Sequence, residues 1–156
     1  MSKSAAPALV LVLASLSAWP AAADTIGLLF DATVDAVCTL SVNSNGTMVA
    51  STDLQTLSSK LAGGSPASLT LSTTGGVDLS LDPVTTVTAP AGDVTTTTWT
   101  PTYSTSGAHT IAETGGTTSL TSPGTSTVSV DLVGAKSGSD RFAAGNYQAT
   151  VTVRCE

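Results

Sequence analysis

Two cysteines are the residues with the clearest chemical potential. Cys38 and Cys155 lie near opposite ends of a 156-residue chain, each on the apolar side of an alternating segment. Because alternate residues of a strand point to the same face, both side chains can point into one core. Oxidation would close a loop of more than a hundred residues, worth about 4–5 kcal/mol on a chain-entropy model. The sequence therefore predicts a Cys38–Cys155 disulfide, with two free thiols in separate environments as the alternative.

The other reactive side chains do not form a motif. His109, the only histidine, follows Gly107 in a polar stretch, which predicts a solvated turn residue rather than a general base. Two cysteines and one distant histidine are too few ligands for a zinc site. Asp78 and Asp82 flank a strand end, where carboxylates usually lie exposed on a turn. No G-x-S-x-G, H-E-x-x-H or phosphate-binding glycine loop occurs. We therefore expect a protein that is not an enzyme and that has no cofactor and no metal.

Two further groups could take part in recognition. Trp99 and Tyr103 could form an exposed aromatic patch for a sugar or a protein partner, although aromatic residues in strands usually pack on the core. The sequence 45–47 (Asn-Gly-Thr) fits a glycosylation acceptor, but Asn-Gly is also a strong turn signal, and we favour the turn.

The N-terminus has the features of a secretory signal. Lys3 precedes an apolar run over residues 5–16, and three alanines end at Ala23. An apolar run of about a dozen residues is too short for a membrane helix, which needs ~20. The sequence predicts a signal peptide over residues 1–23, a mature chain that begins at Asp24 without a membrane span, and a secreted protein. It would pass through the periplasm to the cell surface or the medium. The net charge of −6 disfavours nucleic acid as a partner.

A period of two in hydrophobicity dominates the rest of the chain. Every even position from Ile26 to Val42 is apolar or small, and the odd positions from Tyr147 to Cys155 repeat the pattern. Shorter alternating runs lie between them, separated by glycine and proline turns: residues 69–72, 77–81, 84–88, 94–103 and 127–133. The pattern predicts an all-β antiparallel β-sandwich, with one domain over residues 24–156 and one face of each terminal strand buried. Only residues 53–61 have helical spacing, and a short helix and a loop are equally good interpretations there.

The first alternating run is too long for one strand. Eighteen residues from Thr25 to Val42 would span about 60 Å, whereas a usual strand spans about 20 Å. A division near Asp31 would leave an N-terminal extension over residues 24–31, with Ile26, Leu28 and Phe30 on one side. The first strand of the domain would then begin near Val34.

The two ends of the chain resemble those of a known family. Residues 26–40 (IGLLFDATVDAVCTL) resemble the start of chaperone–usher pilins, in which an alternating extension runs into a first strand that carries a cysteine. Residues 145–153 (GNYQATVTV) resemble their closing strand, and residues 64–81 resemble the second strand of the spore coat protein U type. Two features depart from that family: the second cysteine is Cys155 rather than a residue near position 72, and no aromatic residue precedes the C-terminus.

The resemblance implies a fold, a function and partners. The fold would be an immunoglobulin-like (pilin-like) sandwich that lacks its last strand, and the protein a structural subunit of a surface fimbria or coat. Subunits would assemble by donating Ile26, Leu28 and Phe30 to a neighbouring copy or a related subunit, with the help of a periplasmic chaperone and an outer-membrane usher. In this strand order Cys38 and Cys155 would close one end of the open groove. The alternative is a self-complete secreted sandwich that acts as an adhesin or ligand-binding module.

Overall fold

Twelve strands and no helix make up the described part of the computed structural model, residues 23–156. The strands are β1 (Cys38–Ser44), β2 (Val49–Ala50), β3 (Thr56–Ser58), β4 (Ala67–Thr73), β5 (Val77–Leu81), β6 (Thr86–Thr88), β7 (Thr97–Gly107), β8 (Ile111–Thr114), β9 (Thr118–Leu120), β10 (Gly124–Lys136), β11 (Gln148–Thr150) and β12 (Val153–Cys155). All strand pairs are antiparallel, so the predicted all-β fold is confirmed. None of the described segments is a helix that could cross a membrane.

The long strand β10 organises the main sheet. One edge of β10 pairs with β7 over residues 126–136, and the other edge pairs first with β4 and then with β3. Strand β1 pairs with β4, β2 with β3, and β8 with β7. Every even position of β10 from Ser126 to Lys136 is buried, as expected for a strand with one face on the core.

A second layer covers that face. Strand β5 lies between β9 and β12, and β6 pairs with β11. Leu71, Tyr103 and Val128 of the main sheet pack in one cluster with Leu79 of β5 and Leu120 of β9. The arrangement of two antiparallel layers around a shared core is consistent with a β-sandwich. The immunoglobulin-like strand order stays a prediction.

The first strand begins further along the chain than the sequence predicted. Residues 23–37 contain no strand, and β1 begins at Cys38 rather than near Val34. The expectation that the apolar face of the first strand is buried is also wrong, because Leu40 is 39% and Val42 72% exposed. Strand β1 lies at a sheet edge, so its outer side has no neighbouring strand within the described residues. Residues 33–156 form one compact unit, whereas residues 23–32 belong to a second unit.

Of the two interpretations of residues 53–61, the short helix is wrong, because no helix forms there. A carboxylate oxygen of Asp53 accepts hydrogen bonds from the Ser51 hydroxyl (2.5 Å) and the Gln55 amide (3.0 Å). Leu54 has φ 61°, in the left-handed region, which stops a helix from continuing. The side chain of Asp53 therefore closes a turn, and the chain enters β3 with Leu57 only 8% exposed.

Both cysteines take part in one disulfide. Cys38 at the start of β1 is bonded to Cys155 at the end of β12, with a Cα–Cα distance of 6.1 Å. The bond joins residues 117 positions apart and agrees with the pairing expected from the sequence. Of the predicted signal peptide, only Ala23 lies within the described residues.

Candidate functional site

An apolar groove of about 450 Å³ runs between the first strand and the last part of the chain. One wall is β1, which contributes Leu40 and Val42. The opposite wall is the segment Gln148–Cys155, here called the closing segment, which contributes Val151 and Val153. Leu69 of β4 and Val130 and Leu132 of β10 line the groove between the two walls, and each is less than a tenth exposed.

The two walls run in opposite directions from the disulfide. Counting outward from Cys38 and Cys155, Leu40 lies level with Val153, Val42 with Val151, and Ser44 with Ala149. Both walls alternate with period two, so each of these pairs faces into the groove. The groove therefore has three successive levels, and the side chains that line them become smaller toward Ser44 and Ala149.

The backbone edges of both walls are free on the groove side. Within residues 23–156, β1 pairs with β4 alone, and the closing segment pairs only with β5 and β6. A free edge presents unpaired amide and carbonyl groups, which bind an added strand readily. The groove thus combines an apolar surface with two rows of backbone donors and acceptors.

The residues that line the groove include no acid, base or cysteine. The polar ones are serine, threonine and asparagine, for example Asn45, Thr47 and Ser59. Such a surface can bury apolar side chains and hydrogen-bond a peptide, but it offers no group for proton transfer. The arrangement fits a peptide-binding site better than a catalytic one.

The predicted donor residues are exposed. Ile26, Leu28 and Phe30 are 85%, 73% and 88% exposed, and their segment contains no strand. A soluble protein usually buries aliphatic and aromatic side chains of this size. Within residues 23–156, this segment pairs with no strand, and it exposes three alternating apolar side chains.

The possible exposed patch of Trp99 and Tyr103 is not formed, and the alternative, packing on the core, holds for Tyr103. Tyr103 is fully buried in the core, and its hydroxyl lies 3.0 Å from the carbonyl of Leu79 and 2.8 Å from the Thr118 hydroxyl. Trp99 lies at the same face of β7 and its ring packs against Gly134, where a Cβ atom would come within 2.5 Å of the ring. Tyr103 therefore belongs to the interior and Trp99 is half-buried, because odd positions of β7 face the core.

The interpretation of His109 as a solvated turn residue is also wrong. Its side chain is buried, with Nδ1 3.1 Å from the Ser126 hydroxyl and Nε2 2.9 Å from the Ser122 carbonyl. A carbonyl only accepts, so Nε2 carries a proton and donates it to the Ser122 carbonyl. The histidine therefore joins two segments of the chain, a role that no short motif would have indicated.

A buried ion pair was missed altogether. Lys136 Nζ donates to Asp93 Oδ1 at 2.5 Å, and the two side chains are 0% and 2% exposed. Lys136 also lies 4.9 Å from the centre of the Phe142 ring, and the Tyr147 hydroxyl donates to Asp93 Oδ2 at 2.6 Å. Burial raises the pKa of Asp93, but the hydrogen bonds from Lys136 and Tyr147 outweigh it, so the pKa is lower than usual. The alternation of β10 was the available signal, since Lys136 continues its inward-facing even positions.

Replacing Tyr147 with Phe should change the alkaline stability of the protein. Burial, followed by the contact with Asp93, raises the pKa of Tyr147 from 10.0 to about 12. A raised tyrosine pKa contributes stability that is complete below pH 10 and is lost as the pH rises through 12. We expect the stability difference between the native protein and Tyr147→Phe to shrink between pH 10 and 12. Urea unfolding across this range measures it, and parallel pH profiles would contradict the assignment.

No metal site is evident in the part of the chain that the structure describes, because no three potential ligands come together there. Asp82 instead accepts a hydrogen bond from Arg154 at 2.6 Å.

Comparisons with known proteins give no relative: no family model, curated protein or solved structure matches the chain. The fold and the groove define the class, an all-β protein with an apolar groove between two strand edges that are unpaired within residues 23–156. The resemblance to chaperone–usher pilins stays a prediction.

Proposed function

We propose that this protein is an exported structural subunit of a surface fimbria or coat, in which the N-terminal segment of one copy completes the sheet of another. The observation that carries the proposal is the apolar groove between β1 and the closing segment, two walls whose facing edges are unpaired in residues 23–156. An added strand would satisfy both edges at once. The N-terminal segment, residues 24–31, is the occupant that we assign to the groove.

The segment and the groove agree in length and periodicity. Ile26, Leu28 and Phe30 span four residue steps, or about 13 Å in an extended chain. The wall from Cys38 to Ser44 spans six steps, or about 20 Å. Three apolar side chains at alternate positions therefore match the three levels of the groove, and the segment fits within its length.

Burial provides the main driving force for assembly. Each of the three exposed side chains would contribute about 1.5–3 kcal/mol if it became fully buried. Hydrogen bonds to the two free edges add to this and favour an extended conformation. The gain must exceed the entropy lost when a flexible segment and a second molecule are ordered. A stable polymer is the expected outcome, because each copy offers one segment and one groove.

Export is part of the same proposal. Disulfides form and persist in oxidising compartments, and Cys38–Cys155 supports a route through the periplasm. An apolar groove with two free edges is an aggregation hazard before assembly. A periplasmic chaperone that covers the groove and an outer-membrane usher that orders the subunits are the partners that this function calls for.

A pair of neighbouring leucines provides the test. Leu28 shares the parity of Ile26 and Phe30, whereas Leu29 has the opposite parity, and both are at least 73% exposed. In a filled groove, Leu28 would face the interior and Leu29 the outside. We expect Leu28→Asp to abolish polymer formation by the exported protein, because a carboxylate would have to be buried among apolar residues. Leu29→Asp, the matched control, should assemble normally.

Light scattering and electron microscopy of the purified exported protein measure the result. Equal assembly of the two variants would contradict insertion of this face of the segment. A native protein that stays monomeric at high concentration would favour the alternative, a self-complete secreted sandwich that works as a binding module.

A further inference from the structure

We infer that the Cys38–Cys155 disulfide is an end stop that fixes the direction and register of the inserted strand. Ile26 would lie next to the disulfide, and Phe30 at the opposite end of the groove, between Ser44 and Ala149. The inference rests on the proposed function and adds the position of each inserted residue to it.

The disulfide blocks the inserted strand because the two walls are too close together at that point. At the disulfide the Cα atoms of the two walls are 6.1 Å apart. A strand that lies between two others separates them by two strand spacings, about 9–10 Å. No strand can therefore pass between Cys38 and Cys155, and an inserted segment has to end before this level. At the far end, the described residues contain no bond that joins the two walls.

The connectivity of the segment decides its direction. Residue 24 would be the free end of the mature chain, whereas Asp31 continues into the domain of the donating copy. The connected end must leave the groove, and only the far end lets a backbone pass. The free end therefore points toward the disulfide, which places Ile26 level with Leu40 and Val153. The inserted strand then runs parallel to β1 and antiparallel to the closing segment.

Side-chain size supports the same direction. Phe30, the largest of the three inserted side chains, is placed level with Ser44 and Ala149, the smallest pair of wall residues. Gly46 and Ala67 also line the groove and leave further space. The reverse direction would place Phe30 among larger wall residues next to the disulfide. Well-packed interiors match large side chains with small neighbours, so the first direction fills the groove better.

The reach of the chain shows that the inserted segment belongs to a second copy. The Thr74 hydroxyl donates to the carbonyl of Asp35, and the Thr74 amide donates to the carbonyl of Val37, so the chain continues past the disulfide away from the groove. Five residue steps from Asp35 to Phe30 cover at most ~18 Å. The path from Asp35 to the level of Ser44 is nine steps, or about 30 Å. A chain cannot place its own Phe30 at the far end of its own groove.

Photo-crosslinking of assembled full-length protein tests the assignment. One preparation carries benzoylphenylalanine in place of Phe30, and a matched preparation carries it in place of Ile26. After irradiation of the polymers and digestion, mass spectrometry identifies the crosslinked peptides. The expected result is that position 30 crosslinks to residues 44–48 or Ala149 of another copy. Position 26 should crosslink to the peptides that contain Leu40 or Val153.

A Cys38→Ala/Cys155→Ala variant tests the stop itself. If the disulfide fixes the register, its loss should spread the crosslinks from position 30 over several levels of the groove. A single unchanged register in this variant would overturn the role of the disulfide. If the variant does not fold, the crosslinks of the native polymer still decide the direction.

The outcomes separate this inference from the proposed function. Crosslinks in the reverse order, with position 30 at Leu40 and position 26 at Ser44, would overturn the inference and leave strand insertion intact. Polymers without any crosslink to the groove, or the absence of polymers, would overturn the proposed function and the inference with it.

Discussion

Replacement of Lys136 by Met is expected to lower the free energy of unfolding by about 3–5 kcal/mol, because it leaves a buried carboxylate without its counterion. Asp93 is 2% exposed and would keep only the Tyr147 hydroxyl and weaker contacts with Thr95 as hydrogen-bond donors. Methionine retains most of the packing of the lysine stem. The loss of stability would therefore come from the unpaired charge on Asp93 rather than from a cavity. A domain of this size is usually stable by 5–15 kcal/mol, which makes the effect a large fraction of the total.

A surface ion pair of the same chemistry is the control. Lys60 pairs with Glu113, and their side chains are 41% and 45% exposed. Exposed pairs contribute ~0–1 kcal/mol, so Lys60→Met should have little effect in the same urea titration. The double variant Lys136→Met/Asp93→Asn should recover part of the lost stability, since it removes both charges. Equal destabilisation by Lys136→Met and Lys60→Met would contradict the role assigned to the buried pair.

The strands could be predicted from the sequence because alternation is a local property. Strand β5 (Val77–Leu81) was predicted with its observed bounds, and β4, β7 and β10 within a few residues. The disulfide was predicted by the same reasoning, because each cysteine lies on the same strand face as the apolar residues around it. Period two also identifies the residues that line the groove walls, including Leu40 and Val153.

Other features depend on contacts that the local pattern does not contain. Residues 53–61 have helical spacing, but a side-chain hydrogen bond at Asp53 and pairing of β3 with β10 determine a turn and a strand. His109 and Tyr103 are buried because of the segments that cover them, which are distant in sequence. The groove itself could not be predicted from alternation alone. An apolar strand face indicates that another layer covers it. Only the strand order shows that, among the described residues, no strand covers Val42.

The second large effect concerns the N-terminal segment. Deleting Asp24 to Asp31 removes the inserted strand and leaves the walls of the groove unchanged, since β1 begins at Cys38. The shortened chain should therefore fold as a monomer, or with a periplasmic chaperone bound, and fail to polymerise. Because its groove can still accept a segment, it should also stop the growth of native polymers when the two proteins are mixed. A variant with Ile26, Leu28 and Phe30 all changed to Ser keeps the chain length and should behave in the same way.

Assembly of the native and the shortened exported chains, compared by light scattering over a range of concentrations, tests the central claim most directly. The account predicts polymers for the native chain, none for the chain that lacks Asp24 to Asp31, and shorter polymers for the mixture. A native chain that remains a monomer at high concentration, together with a shortened chain that unfolds, would contradict the account and make the segment an intrinsic part of its own domain.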